Sequence, residues 1–137
     1  MVNDLKDRTK KFSLLIIELV ELLSNSLVGR PIASQLIRSG TSVGANYRAV
    51  CRARSDKEFI SKMNIVLEEA DECCFWLEII VEKNWIQNEK LKLSLKEANE
   101  LTAIFVSTLK TMNSKLLKSK LLTSNNSKLI TANNSTF

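Results

Sequence analysis

Apolar residues recur along the chain with the spacing of amphipathic helices. At about 100° per residue, four segments each gather their apolar residues on one face. The segments cover about residues 7–27, 31–53, 56–83 and 89–114. The first break contains Gly29 and Pro31, which suit a helix end and a helix start. The pattern therefore predicts four helices joined by short connections.

The first and fourth segments have one broad apolar face each. The predicted core positions of the first are Phe12, Leu15, Ile16, Leu19, Val20, Leu22, Leu23 and Leu27. Those of the fourth are Leu91, Leu95, Ala98, Leu101, Phe105, Val106, Leu109 and Met112. Each segment is therefore expected to pack against a core on one side.

The second segment contains the run SGTSVGANYRAVCRARS, residues 39–55, which has the composition of a loop. Its apolar arc nevertheless keeps a helical period through Ile32, Leu36, Val43, Tyr47 and Val50. A phosphate-binding loop would need a preceding strand and a Lys-Ser/Thr signature, and neither is found. A helical glycine costs about 1 kcal/mol relative to alanine, so close helix packing is expected to offset it. The predicted close-packing residues are Ala33, Gly40, Gly44 and Cys51.

The third segment opens with a capping box, in which Ser55 is the N-cap and Glu58 lies three residues later. Its predicted core face is Phe59, Met63, Val66, Ala70, Cys73, Leu77, Ile80 and Val81. A second apolar strip lies among acids, and one four-helix core cannot bury both arcs. The strip predicts an oligomer interface made by Ile65, Glu68, Glu72, Phe75, Trp76 and Ile79. The alternative is that some of these residues pack at the edge of the core.

Four amphipathic helices with short connections predict an all-α, up-down-up-down antiparallel four-helix bundle over residues 1–114. Residues 115–137 are polar, carry lysines and lack a sustained period, which predicts a frayed or disordered tail. The N-terminus is polar, and the most apolar run is too short to span a bilayer, which takes about 20 residues. A cytoplasmic location is therefore expected.

The composition argues against most catalytic sites. The chain has no histidine, which excludes a His-based triad, a His general base and the common His-containing zinc sites. Cys51, Cys73 and Cys74 lack the C-x-x-C spacing and are interpreted as small core or interface residues. A carboxylate metal site would need inward-facing acids and an E-x-x-H pattern. We expect no enzymatic activity, no cofactor and no metal.

Charge is segregated along the chain, whose net charge is +5. Residues 30–57 carry six basic residues and one acid, and the chain from Leu101 onward carries five lysines and no acid. The first basic set is Arg30, Arg38, Arg48, Arg52, Arg54 and Lys57. Arginines suit phosphate contacts, so this set predicts nucleic-acid binding, to RNA in particular, without base readout. The alternative is a protein adaptor or scaffold whose second-helix arginines pair with the acidic third helix across subunit interfaces.

The run SGTSVGANYRAVCRARSDKEFISKMNIVLEEADECCFWLEII closely resembles the bacterial 23S rRNA-intervening sequence proteins. The DRTKKF opening and the QLIRSGTSVGANYR segment also resemble that family, over about residues 4–112. The resemblance implies a cytoplasmic, non-enzymatic four-helix bundle that assembles as a ring-like homopentamer. Related bundle proteins of diversity-generating retroelements associate with a reverse transcriptase and nucleic acid, which are the partners implied here. Many relatives have Glu where this chain has Ala49, a departure that makes the basic face purer.

Overall fold

The chain forms four α-helices in a computed structural model that describes residues 2–23 and 26–134. They are α1 (Val2–Glu21), α2 (Gly29–Cys51), α3 (Asp56–Lys83) and α4 (Glu89–Asn134). No strand occurs in these described ranges. The predicted all-α class and the number of helices are confirmed.

The helices form an antiparallel bundle in which each contacts its two neighbours. Backbone contacts join α1 to α2, α2 to α3, α3 to α4 and α4 to α1. Across the core, the rings of Tyr47 in α2 and Phe105 in α4 stack with their centroids 6.2 Å apart. The relative direction of α3 and α4 is shown by two pairs of residues that lie side by side. Cys74 lies beside Thr102, and Asp56 lies beside Lys115, so the two helices run in opposite directions. The result is the up-down-up-down bundle that the short connections predict.

The core is built from the predicted apolar faces. Its buried hydrophobic side chains are Phe12, Ile16, Leu19, Leu36, Val43, Tyr47, Val50, Met63, Val66, Ala70, Cys73, Cys74, Leu77, Ile80, Leu91, Ala98, Leu101, Phe105 and Leu109. Thr9, Ser39 and Ser94 are buried as well, and each hydroxyl donates to a carbonyl three or four residues earlier in its own helix. Such hydroxyls need no partner from another helix, so a hydropathy pattern does not find them.

Three predicted core residues are exposed. Leu22 and Leu27 leave the apolar face because α1 ends at Glu21, and Leu27 is 92% exposed. Val81 lies near the end of α3, where it lines an open cleft at the α3–α4 connection. The corrections at Leu22 and Leu27 arise because the angular period applies only while the helix continues, whereas Val81 is still helical and is exposed at the cleft beside it.

The α2–α3 turn has the predicted start signal. The Ser55 hydroxyl oxygen accepts a hydrogen bond from the Glu58 backbone N–H at 3.0 Å, which caps α3. The Glu58 carboxylate accepts from the Arg54 N–H at 3.1 Å rather than from Ser55. At the other end, Asn84 ends α3 in the left-handed conformation, with φ 53° and ψ 38°.

Helix α4 continues well past the bundle, in contrast to the expected frayed or disordered tail. It contains 46 residues and ends at Asn134, so residues 115–134 are helical, and residues 135–137 lie outside the described part. No glycine or proline follows Gly44, and leucine and lysine favour helix. Every described side chain from Leu117 onward is exposed. The weak apolar period of this segment therefore shows that its side chains are not buried, and it does not show that the segment is unfolded. We call residues 117–134 the α4 extension.

Candidate nucleic-acid interface

Two glycines determine how closely α2 approaches α1. A Cβ atom at Gly40 would lie 2.7 Å from Cγ2 of Ile16. One at Gly44 would lie 2.7 Å from the Ser13 hydroxyl oxygen and 3.2 Å from the Thr9 carbonyl oxygen. The Ser13 hydroxyl also donates to the Gly40 carbonyl oxygen at 2.8 Å. This contact sets the rotation of α2 and leaves its arginines outside the bundle.

The other two predicted close-packing residues do not share that geometry. Ala33 and Cys51 are half-buried, at opposite ends of α2, and Cys51 packs against the edge of the core. The close approach between α1 and α2 is thus concentrated at the two central glycines.

Arg38 is paired with α3 of its own chain. Its guanidinium donates to Glu72 and lies 3.3 Å from a carboxylate oxygen of Glu69. Trp76 Nε1 also donates to the Glu72 carboxylate, at 3.2 Å. The hydrogen bond from Arg38 lowers the pKa of Glu72, although partial burial opposes it. Two of the predicted interface residues, Glu72 and Trp76, are therefore engaged within one chain.

Four of the predicted binding residues lie together at one end of the bundle. They are Arg48, Arg52, Arg54 and Lys57, at the end of α2, in the turn and at the start of α3. All four side chains are exposed. None of them forms an ion pair with any residue in the described ranges. We call these four residues the basic end.

Arg30 lies at the opposite end of α2. It is separated from Arg52 by 22 residues, which corresponds to about 33 Å along a helix. Its side chain is exposed. The six residues that the sequence grouped as one basic face are therefore divided into the distant Arg30, the paired Arg38 and the basic end.

The lysines of α4 lie at the same end of the molecule as these four cations. Lys115 lies 3.6 Å from Asp56, the first residue of α3, so the helix passes the α2–α3 turn at that point. Lys110, Lys118, Lys120 and Lys128 are exposed on the same helix. The sequence signal was the acid-free stretch after Leu101, but only the antiparallel packing shows which end of the bundle it reaches.

Other charged groups are already paired between α1 and α4. Arg8 binds Glu97 and Glu100, the latter at 2.7 Å, and Lys90 lies 3.3 Å from Glu18. The hydrogen bond that Arg8 donates to the Glu97 carboxylate is the main cause of the raised pKa of Arg8. Sequence periodicity missed these pairs, because it does not specify which residues of two separate helices are adjacent.

The remaining predicted interface residues form an outward strip on α3. Phe75 is 53% exposed and Ile65 is 39% exposed, while Ile79 is half-buried. Glu68 is exposed among them. Phe75 packs edge-to-face against Trp76, with ring centroids 5.0 Å apart. We call Ile65, Glu68, Phe75 and Ile79 the α3 strip.

The cysteines lack the properties of reactive thiols. Burial raises the pKa of Cys73 to about 12, and burial also raises the pKa of Cys74. Both thiols stay protonated near neutral pH, and a thiol is a poor nucleophile and a poor metal ligand. In the described part of the chain, no cluster of acids and cysteines is arranged to hold a metal ion. No helix there is long and apolar enough to cross a bilayer.

Comparison with known proteins identifies the family. The family model for the 23S rRNA-intervening sequence protein matches residues 3–107. This chain belongs to that family. A similar crystal structure, at 1.70 Å resolution, is that of a protein of unknown function from the S23 ribosomal protein family of Bacteroides thetaiotaomicron VPI-5482. It is 34% identical, has a TM-score of 0.70, and the match covers 77% of this chain and 98% of that chain. No curated protein matches significantly.

The family match divides the candidate site. Arg48, Arg52, Arg54 and Lys57 lie inside the residues that match the 23S rRNA-intervening sequence family. The α4 extension lies entirely outside them, because the match ends at residue 107. The basic end and nearly all of the bundle therefore lie in the part that matches the family, and the lysines from Lys110 onward lie after it.

Proposed function

We propose that this protein is a cytoplasmic, non-enzymatic oligomer that binds nucleic acid, RNA in particular, through its basic end. One observation carries the proposal. Arg48, Arg52, Arg54 and Lys57 are exposed and have no carboxylate partner among the described residues, whereas Arg8 and Arg38 each bind two acids. A cation that is already paired gains less from a phosphate than one that is surrounded by water.

The chemistry of the basic end suits the phosphate backbone. Arginine presents a planar fork of donors that matches phosphate oxygens, and lysine adds a point charge. Four contacts alone give weak binding at physiological salt, because counterion release contributes about 0.7 to 0.9 in log K per phosphate for each tenfold change in salt. An oligomer repeats the site and raises the effective concentration of the later contacts. The homopentamer implied by the family resemblance would provide such repetition.

Of the six basic residues that the sequence predicts to bind nucleic acid, the four of the basic end make the main contacts in this proposal. Arg38 contributes less because Glu69 and Glu72 already neutralise it. Arg30 is distant from the basic end and would contact nucleic acid only if the strand ran along the whole of α2. No exposed aromatic residue lies in the basic end, so the proposal includes backbone contacts and no base readout.

The test measures RNA binding to a charge-reversed variant and a matched control. The variant is Arg48→Glu with Arg52→Glu, and the control is Lys92→Glu with Lys96→Glu, which makes the same change in net charge on exposed positions elsewhere. We expect fluorescence anisotropy with a structured RNA at about 100 mM salt to show affinity at least about tenfold lower for the variant. The control variant should change the affinity for the RNA by less than about threefold. The salt slope of the variant should also decrease by about 1.5.

Sedimentation of the same samples distinguishes the outcomes. If the variant keeps its assembly state and loses RNA, the proposal stands. If the wild-type protein does not bind RNA at that salt concentration, nucleic-acid binding is wrong. If the variant dissociates to monomers, the arginines serve subunit contacts.

A protein adaptor or scaffold is the second candidate function. It is favoured by the α3 strip, because exposed Phe75 and Ile65 among acids are typical of a protein interface. In this form, arginines of one subunit would pair with acids of another, and no nucleic acid would be bound. The expected partner outside the oligomer is a nucleic-acid enzyme such as a reverse transcriptase. Co-purification of such an enzyme with wild-type protein after nuclease treatment would favour the adaptor.

A further inference from the structure

The α4 extension is an exposed helix that carries its own apolar side chains. Leu117, Leu121, Leu122, Leu129 and Ile130 are each more than half exposed. Its charged residues are Lys118, Lys120 and Lys128, with no acid among them. Five large aliphatic side chains on an isolated helix expose apolar surface that packing against another surface would remove from water.

The acids of α3 offer the complementary surface. Glu68, Asp71, Glu78 and Glu82 are exposed, and none of them forms an ion pair with a residue that the structure describes. At about 100° per residue they lie on the α3 strip and along its flank away from α2, where Glu69 and Glu72 bind Arg38. The strip is thus apolar with unpaired negative charge, and the extension is apolar with unpaired positive charge.

We propose that the α4 extension of one copy packs along the α3 strip of a second copy of this chain. The apolar side chains of the extension run from Leu117 to Ile130, about 20 Å of helix, and those of the strip run from Ile65 to Ile79, about 21 Å. At about 100° per residue, one arc of about 140° on the extension holds Leu117, Leu121, Leu122 and Leu129 together with Lys118 and Lys128. These leucines then cover Phe75 and Ile65, and the two lysines face the unpaired acids. This contact requires no nucleic acid and does not depend on the proposed RNA binding.

The α4 extension cannot reach the α3 strip of its own chain. Lys115 pairs with Asp56, the first residue of α3, and α4 continues beyond that point as an unbroken helix. Residues 118–128 therefore point away from Glu68, which lies 12 residues along α3 in the opposite direction. A contact between the two surfaces has to join different copies.

Pairing of two extensions with each other is less favourable. Each extension contributes only lysines, so a helix pair made of two of them would bring like charges together without a compensating acid. The α3 strip of another copy supplies the opposite charge. The charge pattern therefore favours binding of the α4 extension to α3 rather than to another extension.

Charge reversal with rescue tests this contact. The α4 variant is Lys118→Glu, Lys120→Glu and Lys128→Glu, and the α3 variant is Glu68→Lys, Asp71→Lys and Glu82→Lys. We expect the dissociation constant from analytical ultracentrifugation at about 0.1 M salt to rise roughly tenfold or more in each variant. Combining both sets in one chain should restore association to within about threefold of wild type. The control is Lys10→Glu, Lys92→Glu and Lys96→Glu, three exposed lysines outside the extension, and it should leave the constant within about threefold.

A mixed-isotope cross-link identifies the two surfaces directly. Wild-type protein labelled with ¹⁵N is mixed with unlabelled protein and treated with a zero-length carboxyl-to-amine cross-linker. After equal mixing, about half of the peptides that join the extension lysines to the α3 acids should contain one labelled and one unlabelled half. The proposal is overturned if the wild-type chain is monomeric at about 100 μM, if the α4 variant associates as wild type does, if the combined variant is not rescued, or if these cross-links join only peptides of the same isotope.

Discussion

Single residues decide how α1 and α2 fit together. Gly40 faces Ile16 and Gly44 faces Thr9 and Ser13 so closely that a methyl group has no space. In most helices, replacing glycine by alanine stabilises the fold by about 1 kcal/mol. Here the loss of close packing outweighs that gain. At Gly40 the neighbour is the branched, buried side chain of Ile16, and at Gly44 it is a Ser13 hydroxyl held by hydrogen bonds to the Thr9 and Gly40 carbonyl oxygens.

We predict that Gly44→Ala and Gly40→Ala each lower the free energy of unfolding by about 1–3 kcal/mol. The measurement is urea unfolding followed by circular dichroism. Ala45→Gly, at an exposed position of the same helix, is the control and should cost about 1 kcal/mol through helix propensity alone. An increase in stability in either glycine variant would show that α2 does not need the close contact.

The buried thiol of Cys73 predicts a pH dependence of stability. Its pKa is about 12 in the folded chain because of burial, and about 9 when unfolded. A raised pKa means that the folded state holds the proton that the unfolded state loses. The free energy of unfolding that the protonated Cys73 thiol contributes is fully present below about pH 9. It decreases as the pH rises toward 12, by at most about 1.4 kcal/mol per pH unit.

We therefore expect Cys73→Ala to lose less stability than wild type between pH 9 and 11, although it is less stable at pH 7. Urea unfolding at each pH provides the comparison. Ile80→Val, a buried substitution in the same helix that changes no titratable group, is the control and should keep the wild-type slope. Parallel slopes for wild type and Cys73→Ala would contradict the assignment of this effect to the Cys73 thiol.

At the scale of the element, α4 has two parts with different energetics. The part up to Leu109 supplies buried side chains to the core, whereas the described side chains of the extension are all exposed. Helix formation in the extension follows from its leucines, its lysines and the absence of helix breakers. Its stability therefore depends on continuation from a helix that the core already holds.

We predict that a chain ending at Leu116 folds with a free energy of unfolding within about 0.5 kcal/mol of wild type, because every described side chain that it loses is exposed. Far-ultraviolet circular dichroism should lose the signal of the 18 helical residues 117–134. Measurements at a concentration where the full-length chain is monomeric separate folding from association. A large loss of stability in the monomer would mean that the extension packs on its own bundle.

At the scale of the whole molecule, the antiparallel arrangement gives the bundle two different ends. The end with the α2–α3 turn carries Arg48, Arg52, Arg54 and Lys57, and α4 adds its lysines there. Arg48 and Lys128 are separated by 80 residues in the chain, so no local pattern predicts that these charges share one end. The same arrangement exposes the acidic α3 strip on the side of the bundle, at a distance from the chain's own extension.

The sequence by itself determined the number of helices, most of their core faces and the outward position of the arginines. These properties follow from an angular period of about 100° per residue, which is local to each helix. Only the tertiary structure decided that Arg38 binds Glu69 and Glu72 of its own chain, and that α4 extends beyond the bundle beside the basic end. Both depend on which residues of different helices are adjacent, and that is set by the packing of whole elements around the core.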